Sequence, residues 1–203
     1  TIREHKRILF NGNGYDDAWI EEATTVRGLS NYRTTPDCMP HLLDEKNVRM
    51  LTAHKVFTRA ELESRTEIMV DNYRKSVIIE ANTMVDMAKR QILPAVEAYV
   101  CSLASTAAAK KSVIPDAACC YEKSLIGKLS VLTDQIAMKT DELNEALLKL
   151  RDAANVEEEA CRIRDTVLPK MSQLRAVADE AETLTAESYW PFPTYGELLF
   201  GVK

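Results

Sequence analysis

Large aliphatic residues recur at Leu125, Leu129, Leu132, Ile136, Leu143, Leu147 and Leu150, in steps of four, three, four, seven, four and three residues. Alternating steps of three and four bring all seven side chains onto one face of a single helix. One layer of this heptad seam is missing, and the polar pair Lys139 and Thr140 stands in its place. A helix with so long an apolar stripe is not stable alone. It must lie against other helices, which restricts the chain to a bundle.

The flanking segments supply those partners. Thr58-x-x-Glu61 has capping-box spacing: the hydroxyl accepts from an early helix N–H while the carboxylate reaches back to the cap. The helix it starts is expected to run from Arg59 to about Lys111, where Lys110 and Lys111 suit the negative end of the dipole. At 1.5 Å per residue that is roughly 80 Å. Pro94 lies inside it and predicts a kink. Pro115-Asp116 reverses the chain into the seam helix. Asn155 can cap a third helix, with Glu157, Glu158 and Glu159 at its positive end. Its stripe is Val156, Ala160, Ile163, Val167, Met171, Leu174, Ala178 and Ala181, and Pro169 predicts a second kink at a height similar to the first. The fold class is therefore mainly α: an antiparallel bundle of three long helices kinked at Pro94 and Pro169.

Residues 1–57 follow no such pattern. They hold eight Lys/Arg and eight Asp/Glu, all three histidines and three of the six glycines, whereas residues 58–203 account for the whole net charge of −5. Ile8-Leu9-Phe10 before Asn11-Gly12-Asn13-Gly14 reads as a buried strand or helix end followed by a turn where Asn and Gly accept positive φ. Asp16 or Asp17 can cap a short helix carrying Trp19, Ile20 and Ala23, ending at Gly28. Residues 29–44 read as a loop with Pro36 and Pro40 fixing turns, and a second short helix covers Glu45 to His54. This is a small mixed segment. The chain opens on Thr1 within a polar stretch, which suggests an excised or processed piece of a longer protein.

The acidic balance argues against nucleic acid as a partner. No apolar run approaches the roughly 20 residues of a membrane span, so no membrane partner is expected. The five cysteines, Cys38, Cys101, Cys119, Cys120 and Cys161, share no C-x-x-C spacing and read as reduced thiols. His5, His41 and His54 lie far from the Cys119-Cys120 pair, and no histidine follows to build the Glu-x-x-His metal pairs of some bundles. The Asn11–Gly14 loop lacks the Lys-Ser/Thr of a P-loop and the third glycine of a dinucleotide fingerprint. Asp141-Glu142 and Asp179-Glu180 flank apolar stripes and read as solvated faces. Met69, Tyr73 and Met84 suit core packing. No catalytic, cofactor-binding or metal residue is assigned.

Several blocks carry a resemblance. Phe10-Asn11-Gly12-Asn13-Gly14-Tyr15 and Thr35-Pro36-Asp37 with Pro40 are followed by Glu45-Lys46-Asn47-Val48 and by Val56-Phe57-Thr58-Arg59-Ala60-Glu61-Leu62-Glu63-Ser64-Arg65. Asp86-Met87-Ala88-Lys89, Ile92-Leu93-Pro94-Ala95, Leu174-Arg175-Ala176-Val177-Ala178-Asp179-Glu180 and Tyr189-Trp190-Pro191-Phe192-Pro193-Thr194-Tyr195-Gly196 complete the order. Over essentially its whole length the chain resembles the C-terminal region of type III glutamine synthetases, departing at Cys119-Cys120, where more polar residues are expected. The resemblance implies a parent ligase that uses ATP and Mg2+ (or Mn2+) to join ammonia to glutamate through γ-glutamyl phosphate. It implies a cytoplasmic homo-oligomer built from hexameric rings. The family's metal-binding glutamates and its ATP- and glutamate-binding loops lie upstream, so no catalytic residue carries over and this piece alone is expected not to be catalytic.

On this reading residues 1–57 are the C-terminal edge of a catalytic domain, 58–188 the three-helix bundle, and 189–203 an aromatic tail. The tail holds five of the thirteen aromatics. It is expected to pack back on residues 1–57 through Trp190 and Phe192. The alternative function is a free-standing helical interaction module without catalysis.

Overall fold

The structure, a computed structural model, describes residues 2–201. Its elements are helical, and no strand occurs among the described residues. Packing divides the chain into two units, with the boundary between Met69 and Val70.

In the first unit, Lys6–Ile8 is a single 3-10 turn. The buried strand or helix end expected there is absent, since Ile8 and Leu9 are both exposed. Helix α1 (Asp17–Glu21) starts where the Asp16 side chain accepts from the Ala18 N–H. It continues as a π-turn over Glu22–Val26. Gly28 then takes φ +61, and the Leu29 N–H closes back on the Ala23 carbonyl at 2.8 Å. Arg27 ties this end down. Its guanidinium donates to Glu22 Oε1 (2.6 and 2.8 Å) and to the carbonyls of Leu9 (2.6 Å) and Arg7 (3.2 Å), and lies 4.8 Å from the centre of the Trp19 ring. Trp19 in turn stacks on Phe10 at 4.0 Å.

The stretch 29–44, expected to be a loop, contains two helical turns. Helix α2 (Thr35–Cys38) is capped by Thr34, and a 3-10 turn covers Met39–Leu43. Pro36 and Pro40 each sit in the first turn of their element, where a missing N–H costs nothing and the fixed φ already suits a helix. Helix α3 (Glu45–Ala53) follows. Glycine suits Gly12 because the Phe10 ring lies over it: an added Cβ would come within 2.7 Å of the ring and push it aside. Positive φ is not the reason, because among the described glycines it occurs at Gly28 alone.

Helix α4 (Arg59–Met87) begins at the expected capping box: the Thr58 N–H donates to Glu61 (2.7 Å) and the Glu61 N–H to Thr58 Oγ1 (3.3 Å). A π-turn over Ala88–Ile92 joins it to α5 (Leu93–Val113). After the reversal come α6 (Cys120–Lys149) and α7 (Val156–Arg162), a π-turn over Ile163–Val167, α8 (Leu168–Leu184) and the short α9 (Tyr195–Phe200). Asn155 caps α7 as expected, accepting from the Glu158 N–H at 2.8 Å.

α6 lies between the other two long helical segments and packs on α5 and α8. The pairing is antiparallel: Lys89 meets Asp141 while Lys110 meets Glu122. The seam is buried as expected at Leu125, Leu129, Leu132, Ile136, Leu143 and Leu150, while Ala146 takes the buried place beside a half-buried Leu147. The missing layer is filled by Thr140. It is fully buried, and its hydroxyl donates to the Ile136 carbonyl at 2.7 Å, so its polar group is satisfied within its own helix. On α4, Tyr73 and Met84 pack on this core, whereas Met69 is exposed.

The sequence predicts a kink at each helix proline; the structure has a π-turn on the N-terminal side of each. The residue before the proline bonds five residues back: the Leu93 N–H to the Ala88 carbonyl and the Leu168 N–H to the Ile163 carbonyl. In a regular α-helix the proline ring would strike the carbonyl four residues earlier. A π-turn widens the backbone there, and both prolines face outward from the core. The helical run Arg59–Val113 also contains an 18-residue window of mean hydropathy 1.4, apolar and long enough by that measure to span a membrane, where the sequence reading expects none. Its Ile92, Val96 and Leu103 belong to the core with α6.

The departure at Cys119-Cys120 has a packing explanation. Cys119 is buried in left-handed backbone (φ 47) with Sγ 3.8 Å from the Ala107 carbonyl oxygen, while Cys120 is exposed. A small thiol fills the seat between α5 and α6. One turn on, Glu122 is buried and accepts a hydrogen bond from Lys110. That bond, with a backbone N–H, holds the Glu122 carboxyl below its ordinary value and raises the Lys110 ammonium above its own.

Two outcomes follow for stability. Ile136→Ala is expected to lower the unfolding free energy by about 2–5 kcal/mol, whereas Val131→Ala on the exposed face of the same helix changes it by no more than about 0.5 kcal/mol; urea unfolding measures both. The folded-state value of Glu122 is depressed, so its contribution is present above the ordinary carboxylate value near 4.5 and is lost as pH falls through the lower folded value. Glu122→Gln is therefore expected to lower Tm at pH 7 and to remove that part of the acid dependence, read from Tm against pH.

Candidate functional site

The residues weighed for chemistry in the sequence are dispersed. His41 Nδ1 lies 3.1 Å from Asp44 Oδ2 and its ring stacks on Tyr32 at 3.9 Å. His5 is an exposed residue beside Glu4. No group of three or more His, Cys, Asp or Glu residues that could hold a metal occurs among the described residues. In the Asn11–Gly14 turn, Asn13 Oδ1 accepts from the Tyr15 N–H (3.1 Å) and the Asn13 carbonyl accepts from the Asp16 N–H (3.2 Å). This is a turn leading into α1.

The acidic pair on α6 does more than face solvent. Asp141 pairs with Lys89 of the first π-turn at 3.0 Å, and Glu142 with Lys170, next to Pro169, at 3.1 Å. Hydrogen bonds from Lys170 and then Lys139 hold the Glu142 carboxyl below its ordinary value. Two adjacent carboxylates thus meet both proline-bearing segments at one level of the central helix, the level of buried Thr140, although the Lys89–Asp141 pair lies largely in water and adds little to stability.

The structure builds a concave surface at the end of α8. Thr185 is buried, with its hydroxyl donating to the Ala181 carbonyl at 2.8 Å, and the Trp190 N–H closes a turn onto the Ala186 carbonyl at 3.2 Å. This reversal brings Tyr189 within 5.2 Å of Tyr99 and sets Trp190 and Phe192 edge to face at 6.1 Å. The two rings named in the sequence as anchors on residues 1–57 pack on the core of the bundle. On one side of them lies a cleft of about 320 Å³ between the α4–α5 π-turn and α8; on the other lies one of about 640 Å³ lined by Glu182, Glu187 and Glu197.

Beyond the rings the chain forms α9. Thr194 and Glu197 make a reciprocal capping box, with the Thr194 N–H donating to Glu197 at 2.7 Å and the Glu197 N–H to Thr194 Oγ1 at 3.2 Å. The sequence carries a signal for this cap, since Thr194-x-x-Glu197 has the same spacing as Thr58-x-x-Glu61. Tyr195, Leu198, Leu199 and Phe200 of this helix are 83%, 65%, 72% and 83% exposed.

Comparison with known proteins supplies a family. The glutamine synthetase C-terminal domain family matches residues 1–111, running across residue 57 without a break. The chain is similar to a glutamine synthetase of Butyrivibrio fibrisolvens, 38% identical over 203 residues, which is 100% of this chain and 29% of that protein. It is similar to a type-3 glutamine synthetase of Dictyostelium discoideum, 31% identical over 208 residues and covering 98% of this chain and 28% of the relative. A glutamine synthetase of Bacteroides fragilis (strain YCH46) is 29% identical over 199 residues, covering 95% and 27%. The chain therefore spans less than a third of the length of these relatives.

Trp190 is half-buried on the bundle core, so Trp190→Ala is expected to cost about 1–3 kcal/mol and to free the tail. Urea unfolding and limited proteolysis after residue 185 check this: faster cleavage in the tail with α6 still protected is the expected result.

Proposed function

The chain belongs to the glutamine synthetase C-terminal domain family, and from that premise we propose that it is the structural C-terminal region of an ATP-dependent glutamate–ammonia ligase. In the parent enzyme ATP phosphorylates the side-chain carboxylate of glutamate, and ammonia displaces phosphate from the γ-glutamyl phosphate to give glutamine. Mg2+ or Mn2+ supplies charge neutralisation on the phosphates. The described residues do not fit that cation, because they gather no set of carboxylate, imidazole or thiol ligands. No step of the reaction is assigned to them, and on this reading the chain alone is expected not to be catalytic.

Its role is assembly. The observation that carries this reading is α9: a helix formed by its own capping box, with four large apolar side chains in water. Soluble proteins avoid leaving such a patch uncovered. The relatives carry more than two thirds of their length outside the matched region. The cover for α9 is that upstream catalytic region, in the same or a neighbouring subunit of a cytoplasmic homo-oligomer built from hexameric rings. Residues 1–57 form the edge of the catalytic domain, 58–188 the bundle that carries the tail, and 189–203 the tail itself.

Two experiments test this. The 203-residue chain, given glutamate, ammonia, ATP and Mg2+ or Mn2+, is expected to form no glutamine; activity that survives removal of contaminating full-length enzyme contradicts the proposal. The parent enzyme lacking residues 194–203 is expected to show a lower Tm and smaller particles by light scattering. An unchanged enzyme makes the tail a passive end. A stable 203-residue product made in cells from its own start codon would favour a free-standing interaction module.

A further inference from the structure

The cleft between the α4–α5 π-turn and α8 is not filled by the tail. About 320 Å³ remains, within the range of small-molecule sites. Its walls are Met84, Met87, Ile92, Leu174, Trp190 and Phe192. Thioether and indole surfaces adapt to an apolar guest without a fixed shape requirement. Its rim is charged by Arg175, Asp179 and Glu182. Arg175 and Asp179 pair with each other at 3.3 Å and largely cancel. Among the described residues the Glu182 side chain makes no ion pair, and Glu182 also lines the neighbouring cleft with Glu187 and Glu197, where no Lys, Arg or His stands.

The pocket thus has an apolar floor, an indole wall and a net negative mouth. An anion would meet repulsion there. A neutral apolar guest would fill the floor but gain nothing from the exposed Glu182 carboxylate at the mouth. We propose that this cleft binds a small primary amine with an apolar body, the body seated among Met84, Met87 and Leu174. The ammonium is held between the Glu182 carboxylate and the face of Trp190, whose ring quadrupole attracts a cation. The site belongs to the bundle, and the inference does not rest on the ligase reading.

The test is calorimetric titration of the chain at pH 7 with 2-phenylethylamine and with its neutral counterpart 2-phenylethanol. The amine is expected to saturate at one equivalent, with the alcohol at least about tenfold weaker. Glu182→Gln, on an exposed position, is expected to weaken the amine by about tenfold and leave the alcohol unchanged. Arg175→Ala, which releases the Asp179 carboxylate, is expected to tighten the amine without affecting the alcohol. Circular dichroism confirms that both variants keep the bundle. No saturable binding at millimolar amine, equal binding of amine and alcohol, or an unchanged amine affinity in Glu182→Gln would overturn the proposal.

Discussion

A proline inside a helix removes one backbone donor and drives its ring at the carbonyl four residues back. This chain carries the problem twice, at Pro94 and Pro169, in the two helical segments that flank α6. It answers both with a π-turn immediately before the proline, closed by the N–H of the preceding leucine. The two wide turns meet α6 at neighbouring residues, Lys89 on Asp141 and Lys170 on Glu142. That is also where the leucine seam is replaced by Thr140, whose hydroxyl is satisfied within its own helix. A single polar layer in an apolar seam distinguishes one register from its heptad-shifted alternatives. Here the polar layer lies level with both ion pairs and both π-turns, so sliding either flanking segment by one heptad would break its ion pair to α6 and move its π-turn off the Thr140 level.

The end of the bundle follows from that register. α8 ends at Leu184, and the turn after it brings Trp190 and Phe192 onto the core beside the first π-turn. Pro191 and Pro193 stiffen the path, which lowers the entropy cost of ordering it. What comes next is held by local bonds alone: the Thr194–Glu197 box forms α9 with its apolar residues outward. The docked half of the tail thus carries the exposed half away from the bundle, an arrangement suited to a connector.

Much of the fold was legible because it rests on short-range chemistry. The Leu125–Leu150 seam, the Thr58–Glu61 box and the caps at Asp16 and Asn155 depend on residues within a turn or two of one another, and pattern reading reaches that far. Pro94 and Pro169 marked where the helices are interrupted, but a kink and a π-turn have the same sequence signature. Long-range contacts were not legible. Arg27 reaches carbonyls 18 and 20 residues away. Nothing in the local pattern marks Glu122 as buried, because its partner Lys110 comes from the preceding helix. Gly12 reads as a positive-φ turn glycine, yet what it accommodates is the Phe10 ring lying against it. The cleft beside Trp190 was hidden for the same reason, since its walls come from three separate stretches of chain.

On the proposed reading α9 is a preformed connector whose apolar side chains find their cover outside this chain. Amide hydrogen exchange over residues 195–200 tests it most directly, compared between the 203-residue chain and the parent enzyme under the same conditions. Exchange is expected to be fast in the chain alone, where the helix is exposed on all sides, and slowed by at least about a hundredfold in the parent, where burial must be undone before exchange. Equal, fast exchange in both would contradict the account and leave α9 as a frayed end.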